Sequence, residues 1–213
     1  MTSILALTPN EPRNPPGPHS SPGTRVAVLI FAGLAFFMTA TRFPGLASNL
    51  HLQDASWALF FLAGFYLRDH WRWAFPALMA LAVAIDLIAI GYYDVSNYCL
   101  TVAYWFLVPA YGSLWLGGSW LRAHASFDAR GLGALAGSAL VSASVCFLIS
   151  NGSFYWLGGR VASLSWQAWT ANFTAWYWPF VKITLTYVAA TALIHVPVVK
   201  LAASMGARAS RRA

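Results

Sequence analysis

Residues 73–92 read WAFPALMALAVAIDLIAIGY, and Asp86 is the only charged residue in this stretch. A helix of about 20 apolar residues is long enough to cross the hydrocarbon core of a bilayer. The rest of the chain has a similar composition, because 59% of its 213 residues are hydrophobic and only 9% are charged. Soluble domains contain roughly 25% charged residues. The sequence therefore predicts an integral membrane protein rather than a soluble domain.

Five further apolar segments accompany this stretch, and each is a candidate transmembrane helix. They cover residues 26–41, 55–67, 101–121, 132–150 and about 178–203. The second of them is short, since about 17 residues is the lower limit for a span. We predict an all-α bundle of six transmembrane helices over residues 24–205. A disordered, proline-rich cytoplasmic tail at 1–23 precedes it, and a basic cytoplasmic tail at 206–213 follows it.

Lysine and arginine residues are distributed unequally between the two sides of this bundle. With the N-terminus inside, the outer side holds only Arg42, Arg160 and Lys182, and the other basic residues fall on the inner side. Cytoplasmic loops carry an excess of such residues, so both termini are predicted to be cytoplasmic. The basic residues are dispersed over the segment ends, and the net charge of +7 therefore does not predict nucleic-acid binding.

The outer side of the bundle is where a site could be assembled. Its loops cover residues 42–54, 92–100 and 151–177, and the third has the length of a lid or binding loop. Asp86 lies in the outer half of its span, where an ionisable group is costly and usually faces a cavity or a partner. It either binds a ligand or moves a proton, or it forms a structural hydrogen bond to a neighbouring helix, with Lys182 as a possible partner.

Cys99 stands where the second outer loop enters the fourth span. A helix N-terminus favours the thiolate, which is a soft ligand for transition metals. The alternatives are an ordinary small residue and a disulfide bond to Cys146. Tyr104 follows five residues later and either contacts a large ligand or anchors the chain at the membrane interface.

Two more outer residues are candidates for binding. His51 could ligate a metal or transfer protons, or be an exposed loop histidine. Arg160 could bind a phosphate or carboxylate, or be simply solvated. The sequence contains no Walker A, GxGxxG, HExxH or GxSxG motif, which a typical ATPase, dehydrogenase, zinc protease or serine hydrolase would need.

The stretch at residues 86–104, DLIAIGYYDVSNYCLTVAY, resembles the small bacterial cobalamin transporters of the BtuM family. These proteins are solitary relatives of the substrate-binding S-components of energy-coupling-factor (ECF) vitamin transporters. The matching pattern is an aspartate thirteen residues before a cysteine and a tyrosine five residues after it, at Asp86, Cys99 and Tyr104. Six spans and cytoplasmic termini are similar to the S-component fold over nearly the whole chain, with the N-terminal tail outside the resemblance.

The resemblance implies cobalamin uptake across the bacterial inner membrane, from a cavity that faces the periplasm. Cys99 would coordinate the cobalt of the base-off corrinoid, and this site would also decyanate cyanocobalamin. Asp86 and Tyr104 would orient the site or assist with protons. Further substrate-binding residues are expected in the outer loops. They are His51, Asn97, Tyr98 and Arg160.

The partners expected from this resemblance are cobalamin and membrane lipid. The first span has small residues but no clean AxxxA pattern, which favours a solitary transporter without a dedicated ATPase module, although an ECF module stays open. Two alternatives remain. One is an S-component-like transporter of another vitamin or of a metal ion. The other is a membrane-embedded enzyme or assembly subunit.

Overall fold

A computed structural model of the chain describes residues 23–50, 52–93, 96, 100–126 and 128–210. Every regular element within these ranges is a helix, which confirms the all-α prediction for this part of the chain. Two short 3-10 helices, Arg68–His70 and Val102–Phe106, precede α4 and α5. The α-helices are α1 Thr24–Arg42, α2 Pro44–Leu50, α3 Ser56–Tyr66, α4 Trp71–Tyr92, α5 Leu107–His124, α6 Ala129–Leu157 and α7 Trp166–Ser210.

Four of the helical segments are long and apolar enough to cross a membrane. They are Thr24–Arg42, Arg68–Tyr92, Ala129–Leu157 and Trp166–Leu201. The predicted span at 55–67 corresponds to α3, an apolar helix of 11 residues, and the span at 101–121 corresponds to a 3-10 turn followed by α5. Residues 56 and 58–64 are all buried, so α3 is surrounded by the other helices rather than by lipid.

Close packing between α3 and α5 forms the centre of the bundle. A Cβ atom added to Gly64 would come within 2.1 Å of the Trp115 carbonyl oxygen. One added to Gly118 would lie 1.9 Å from the Phe61 carbonyl oxygen. Only glycine at these two positions lets the backbones approach so closely, as small residues do at helix contacts in membrane proteins.

Apart from the short α2, successive α-helices run in alternating directions, so the bundle has two distinct ends. The Arg42 end contains the last residues of α1, α4 and α6 and the first residues of α3, α5 and α7. There Arg42 of α1 binds Asp86 of α4, and Asn151 of α6 donates to Asn172 of α7 at 2.9 Å. The opposite end is called the Arg122 end, because Arg122 of α5 donates to the last carbonyl groups of α3 there.

The predicted third outer loop at 151–177 is wrong, because most of this segment is helical. Helix α6 continues to Leu157 and α7 begins at Trp166, which leaves a connection of residues 158–165. The Tyr155 hydroxyl donates to the Ser165 carbonyl at 3.0 Å and accepts from the Ser165 amide at 3.1 Å. Trp156 and Trp166 pack with ring centroids 4.8 Å apart. These contacts close the connection tightly and allow both helices to extend.

The last predicted span, at 178–203, is also too short. Helix α7 has 45 residues and reaches Ser210, so its backbone enters the segment predicted as a basic tail. Its first turns contain polar residues that lower the hydropathy but do not break a helix, such as Gln167 and Thr170. In the first outer loop, residues Pro44–Leu50 form α2. The proline-rich segment 1–22 lies outside the described residues.

Candidate functional site

Arg42, the last residue of α1, connects three parts of the Arg42 end. Its Nε atom donates to Asp86 Oδ1 at 2.8 Å and its Nη2 atom donates to Asp86 Oδ2 at 2.7 Å. Its Nη1 atom donates to Asp54 Oδ2 at 2.7 Å and to Ser56 Oγ at 3.1 Å. A guanidinium that binds one carboxylate through two parallel hydrogen bonds fixes the geometry of both groups. Arg42 therefore holds α4 and the start of α3 against the end of α1.

Asp86 accepts three hydrogen bonds from two different helical segments. Besides the two from Arg42, its Oδ2 atom accepts one from the Tyr104 hydroxyl at 2.8 Å. The structural interpretation of Asp86 as a hydrogen-bonding partner of a neighbouring helix is therefore correct, but the partner is Arg42 rather than Lys182. Since a lone charge at membrane depth is expensive, this paired arrangement explains how the bundle accommodates Asp86.

The two carboxylates that share Arg42 differ in their surroundings. The Asp86 side chain is 22% exposed, whereas that of Asp54 is 45% exposed. Asp54 precedes α3, and its Oδ1 atom accepts from the Ser56 amide at 2.9 Å, which satisfies a free donor of the first helical turn. Arg42 is thus paired on its inner side with a shielded carboxylate and on its outer side with a solvated one.

A cavity of about 410 Å³ opens beside these groups. The described residues that line it include two groups of side chains. One group is charged or phenolic, and the other is large and aromatic and comes mainly from α6 and α7. The polar group comprises Arg42, Asp54, Asp86, Tyr104 and Tyr111. The aromatic group comprises Trp57, Phe147, Phe154, Trp176 and Phe180. A mostly apolar cavity with a few placed polar groups is the usual form of a small-molecule site.

The sequence prediction placed Asp86, Tyr104 and Cys99 in one site, and the structure brings the first two together. Cys99 lies outside the described residues, as do His51, Asn97 and Tyr98. Ser96 and Leu100, which flank the segment 97–99, both line the cavity. Cys146, the possible disulfide partner of Cys99, is a buried free thiol on α6.

Arg160 does not join the cavity. It lies in the connection between α6 and α7, and it is absent from the residues that line the space beside Asp86. The prediction that Arg160 binds a phosphate or carboxylate at the outer mouth stays a prediction. The part of the chain that the structure describes also contains no group of three or more His, Cys, Asp and Glu side chains suited to hold a metal ion.

Three residues of this site were missed from the sequence, namely Arg42, Asp54 and Tyr111. Arg42 was assigned only to a loop, although an aspartate at membrane depth requires a cation and few were available on the outer side. Tyr111 follows Tyr104 by seven residues, which is about two helical turns and places both on one face. That spacing was the available signal, and the structure places both hydroxyl groups near Arg42.

No protein-family model matches the chain, and no curated protein sequence matches it. The polar group offers a fixed carboxylate, a guanidinium and two phenols, and the aromatic group offers flat apolar surface. Such a site suits a small molecule that combines apolar surface with hydrogen-bonding groups.

Proposed function

We propose that this chain is a cobalamin transporter of the inner membrane and that the cavity beside Asp86 is part of its binding site. The observation that carries the proposal concerns the two described residues next to the segment 97–99. Its flanking residues Ser96 and Leu100 line the same cavity as Asp86 and Tyr104. We therefore expect Cys99, which lies outside the described residues, to face the ligand that Asp86 and Tyr104 contact.

The surface of the cavity is suited to a corrinoid. A corrin ring is broad and apolar, and amide groups surround its edge. The rings of Trp57 and Phe180 pack with centroids 5.4 Å apart and offer an apolar surface to such a ring. Tyr104 and Asp86 are hydrogen-bonding groups on the same cavity. A cobalamin molecule is larger than about 410 Å³, so we expect it to extend beyond the cavity into the outer loops.

The proposal includes six membrane crossings, with α3 and α5 as the two short ones, in an arrangement of the ECF S-component type. Because the helix directions alternate, four basic residues lie at the Arg122 end, namely Arg25, Arg72, Arg122 and Arg130. By the positive-inside rule this end is cytoplasmic. The Arg42 end and its cavity then face the periplasm, where cobalamin arrives. The chain acts without a dedicated ATPase module in this proposal.

The chemistry that we propose centres on the Cys99 thiolate. Its sulfur donates an electron pair to cobalt(III) in place of the dimethylbenzimidazole base, which gives the base-off form. Electron donation by a soft thiolate weakens the bond to the opposite axial ligand. In cyanocobalamin that ligand leaves as cyanide with its own electron pair, and cobalt stays in the +3 state. Asp86 and Tyr104 would orient the ligand at this site.

The visible spectrum of the purified protein tests this proposal. Protein from cells supplied with cobalamin is expected to be coloured and to show the absorption of a base-off, sulfur-ligated corrinoid. The Cys99→Ser variant is expected to lose the sulfur-ligated spectrum and the release of cyanide from cyanocobalamin. The matched control is Cys146→Ser, because Cys146 is buried on α6 and does not line the cavity. This control is expected to keep both properties.

Each result has a defined meaning. A Cys99→Ser protein that keeps the wild-type spectrum and cyanide release would disprove cobalt ligation by Cys99. If the Cys146→Ser variant lost the spectrum and the Cys99→Ser variant kept it, the cobalt ligand would be Cys146 on α6 and the proposal for Cys99 would be wrong. If the wild-type protein binds no corrinoid at all, thermal-shift screening with other vitamins and with metal ions would decide among the alternative substrates.

A further inference from the structure

A second cavity, of about 320 Å³, lies at the Arg122 end of the bundle. It is separate from the site beside Asp86, and no residue lines both. Helix α7 contributes one stripe of residues spaced three and four apart, which we call the α7 groove. Its members are Val188, Thr191, Ala192, His195, Val196 and Val199. Phe61 and Phe65 of α3 lie on the opposite wall.

The length and direction of the α7 groove match a lipid chain. Eleven residues separate Val188 from Val199, which corresponds to about 16 Å along the helix axis at about 1.5 Å per residue. Half of the hydrocarbon core of a bilayer measures about 15 Å. Because the groove follows the axis of a membrane-crossing helix, it runs in the same direction as the acyl chains of one leaflet. An acyl chain can therefore fill it without bending away from its neighbours.

The groove is also amphipathic along its length. The deep end, around Val188 and Phe61, is apolar. The end near the bundle surface carries a hydrogen-bonded pair, in which the Tyr66 hydroxyl lies 2.9 Å from His195 Nδ1. Arg122 and Ser126 line the same end. Polar groups at one end and apolar groups at the other reproduce the order of a phospholipid, with its headgroup at the surface and its chain inside.

The end of the bundle around this rim carries more basic than acidic side chains. Among the described residues there, the basic ones are Arg25, Arg68, Arg72, Arg122, Arg130 and Lys200, and the acidic ones are Asp69 and Asp128. Arg122 is paired with Asp69, whose Oδ2 atom lies 3.8 Å from its Nη2 atom. Val199 precedes Lys200, and Gly131, another residue of the cavity, follows Arg130. A basic residue at a membrane surface attracts anionic lipid by about 1 kcal/mol, or roughly fivefold in affinity. The charge around the groove therefore favours an anionic headgroup.

We propose that the α7 groove is a binding site for an anionic phospholipid of the leaflet at the Arg122 end. One acyl chain lies along α7 between Val199 and Val188. The phosphate lies at the rim, near Arg130 and Lys200. This site is independent of cobalamin transport and requires only that the bundle is embedded in a membrane. The bound lipid fills space between α3 and α7 that no side chain occupies.

Photo-cross-linking in nanodiscs tests the proposal. The full chain is reconstituted with a phosphatidylglycerol probe or a phosphatidylcholine probe, each carrying a diazirine on one acyl chain, and labelled peptides are identified by mass spectrometry. We expect label from the phosphatidylglycerol probe on α3 and on the groove side of α7. Labelling there by the phosphatidylcholine probe should be about fivefold weaker per rim charge that contacts the headgroup.

Two variants of one helix separate the groove from the lipid-exposed surface. Ala192→Phe places a ring inside the groove, whereas Ala190→Phe makes the same change at an exposed position of α7. Ala192→Phe should abolish most labelling of α3, and Ala190→Phe should leave it unchanged. Equal effects of the two variants, or label spread evenly over all exposed faces, would overturn the proposal and leave only ordinary solvation by lipid.

The headgroup preference has its own test, since Ala192→Phe could also perturb the fold. The double variant Arg130→Gln, Lys200→Gln leaves the groove intact and removes two rim charges. It should equalise labelling by the two probes while the position of the label on α3 and α7 stays the same. Labelling of the groove by phosphatidylcholine as strongly as by phosphatidylglycerol in the wild-type protein would refute the anionic preference.

Discussion

The two ends of the bundle use charge in opposite ways. At the Arg42 end, the guanidinium of Arg42 is enclosed by two carboxylates and is only 13% exposed. At the Arg122 end, Arg122 is also shielded, but Arg25, Arg72 and Lys200 are exposed at the rim. One end therefore keeps its strongest interactions within the protein, and the other presents cations to the surroundings.

This difference separates two kinds of ligand. A cavity whose charged groups are already paired offers a fixed hydrogen-bonding frame and suits a large ligand with little net charge. An apolar cavity with cations at its mouth suits an amphiphile with an anionic head. Helix α3 borders both cavities, because Trp57 lines the one beside Asp86 and Phe61 lines the α7 groove. The close contact of α3 with α5 is called the partition between them. Variants that act on one end, or on the partition between them, test this division.

The largest effect is expected from Gly118→Ala, which breaks the partition itself. The new Cβ atom would meet the Phe61 carbonyl oxygen, and a backbone atom cannot move aside as a flexible side chain can. Overpacking usually costs about 1–3 kcal/mol and occasionally more, and a clash with a backbone atom should give a loss above about 3 kcal/mol and distort both cavities. Thermal unfolding in detergent measures the loss. Gly112→Ala is the control on the same helix, since nothing lies within 4 Å of its added Cβ atom.

The second largest effect is expected from Arg42→Ala, which breaks the Arg42 end alone. Asp86 loses two of its three hydrogen bonds and its counter-ion. Removing one partner of a buried ion pair costs about 3–5 kcal/mol, and the partial exposure of this pair reduces the expected loss to about 2–3 kcal/mol. Arg42→Lys retains the charge but not the paired hydrogen bonds, so it should recover only part of the stability.

The effect of Arg42→Ala should be confined to the Arg42 end. Lipid labelling of the α7 groove in the Arg42→Ala protein should equal that of the wild-type protein. A loss of labelling there would show that the two ends are not independent, and unchanged thermal stability would show that Asp86 does not need Arg42.

Each of the six predicted segments contains a helix, and four of the helical segments in the described part of the chain are long and apolar enough to cross a membrane. Apolar runs of about 20 residues are recognisable because they have few alternatives to a spanning helix. The sequence also paired Asp86 with Tyr104, since both appear in one motif. It missed the partnership of Arg42 with Asp86, because 44 residues separate them and only helix packing brings them together. It also placed the start of α7 too late, since residues of the first turns such as Gln167 are polar yet compatible with a helix.

A smaller effect is expected from Tyr66→Phe, which acts on the Arg122 end. The change removes the hydroxyl that lies 2.9 Å from His195 Nδ1 and keeps the ring. A hydrogen bond of this type contributes about 0.5–1.5 kcal/mol. Tyr177→Phe is the matched control, because it removes a comparable hydroxyl, 2.8 Å from Ser144 Oγ, away from both cavities. Only Tyr66→Phe should alter lipid labelling of the groove. Equal labelling in the two variants would show that the Tyr66 hydroxyl does not contribute to lipid binding.

The smallest effect is expected from Asp128→Ala at the start of α6. The Ser126 hydroxyl and the Gly131 amide donate to the Asp128 carboxylate and hold its pKa below the usual range. A lowered pKa in the folded state stabilises the fold above the unfolded pKa, and this contribution is lost as the pH falls through the folded value. The melting temperature of the variant should therefore be slightly lower than that of the wild-type protein at pH 7. The difference should become smaller as the pH falls below the unfolded pKa of aspartate and through the lowered folded pKa, and a constant difference would contradict the assignment.

The length of α7 has a consequence for how the bundle sits in a membrane. Its 45 residues extend about 68 Å, more than twice the roughly 30 Å of a hydrocarbon core. Even at a steep tilt of about 40°, roughly 26 residues suffice to cross that core. About nineteen residues therefore stand among headgroups or in water. Pro179 and Pro197 lie inside this helix, and each is a point where it can bend. Single cysteines placed along the helix and probed with a water-soluble thiol reagent would mark both boundaries of the bilayer.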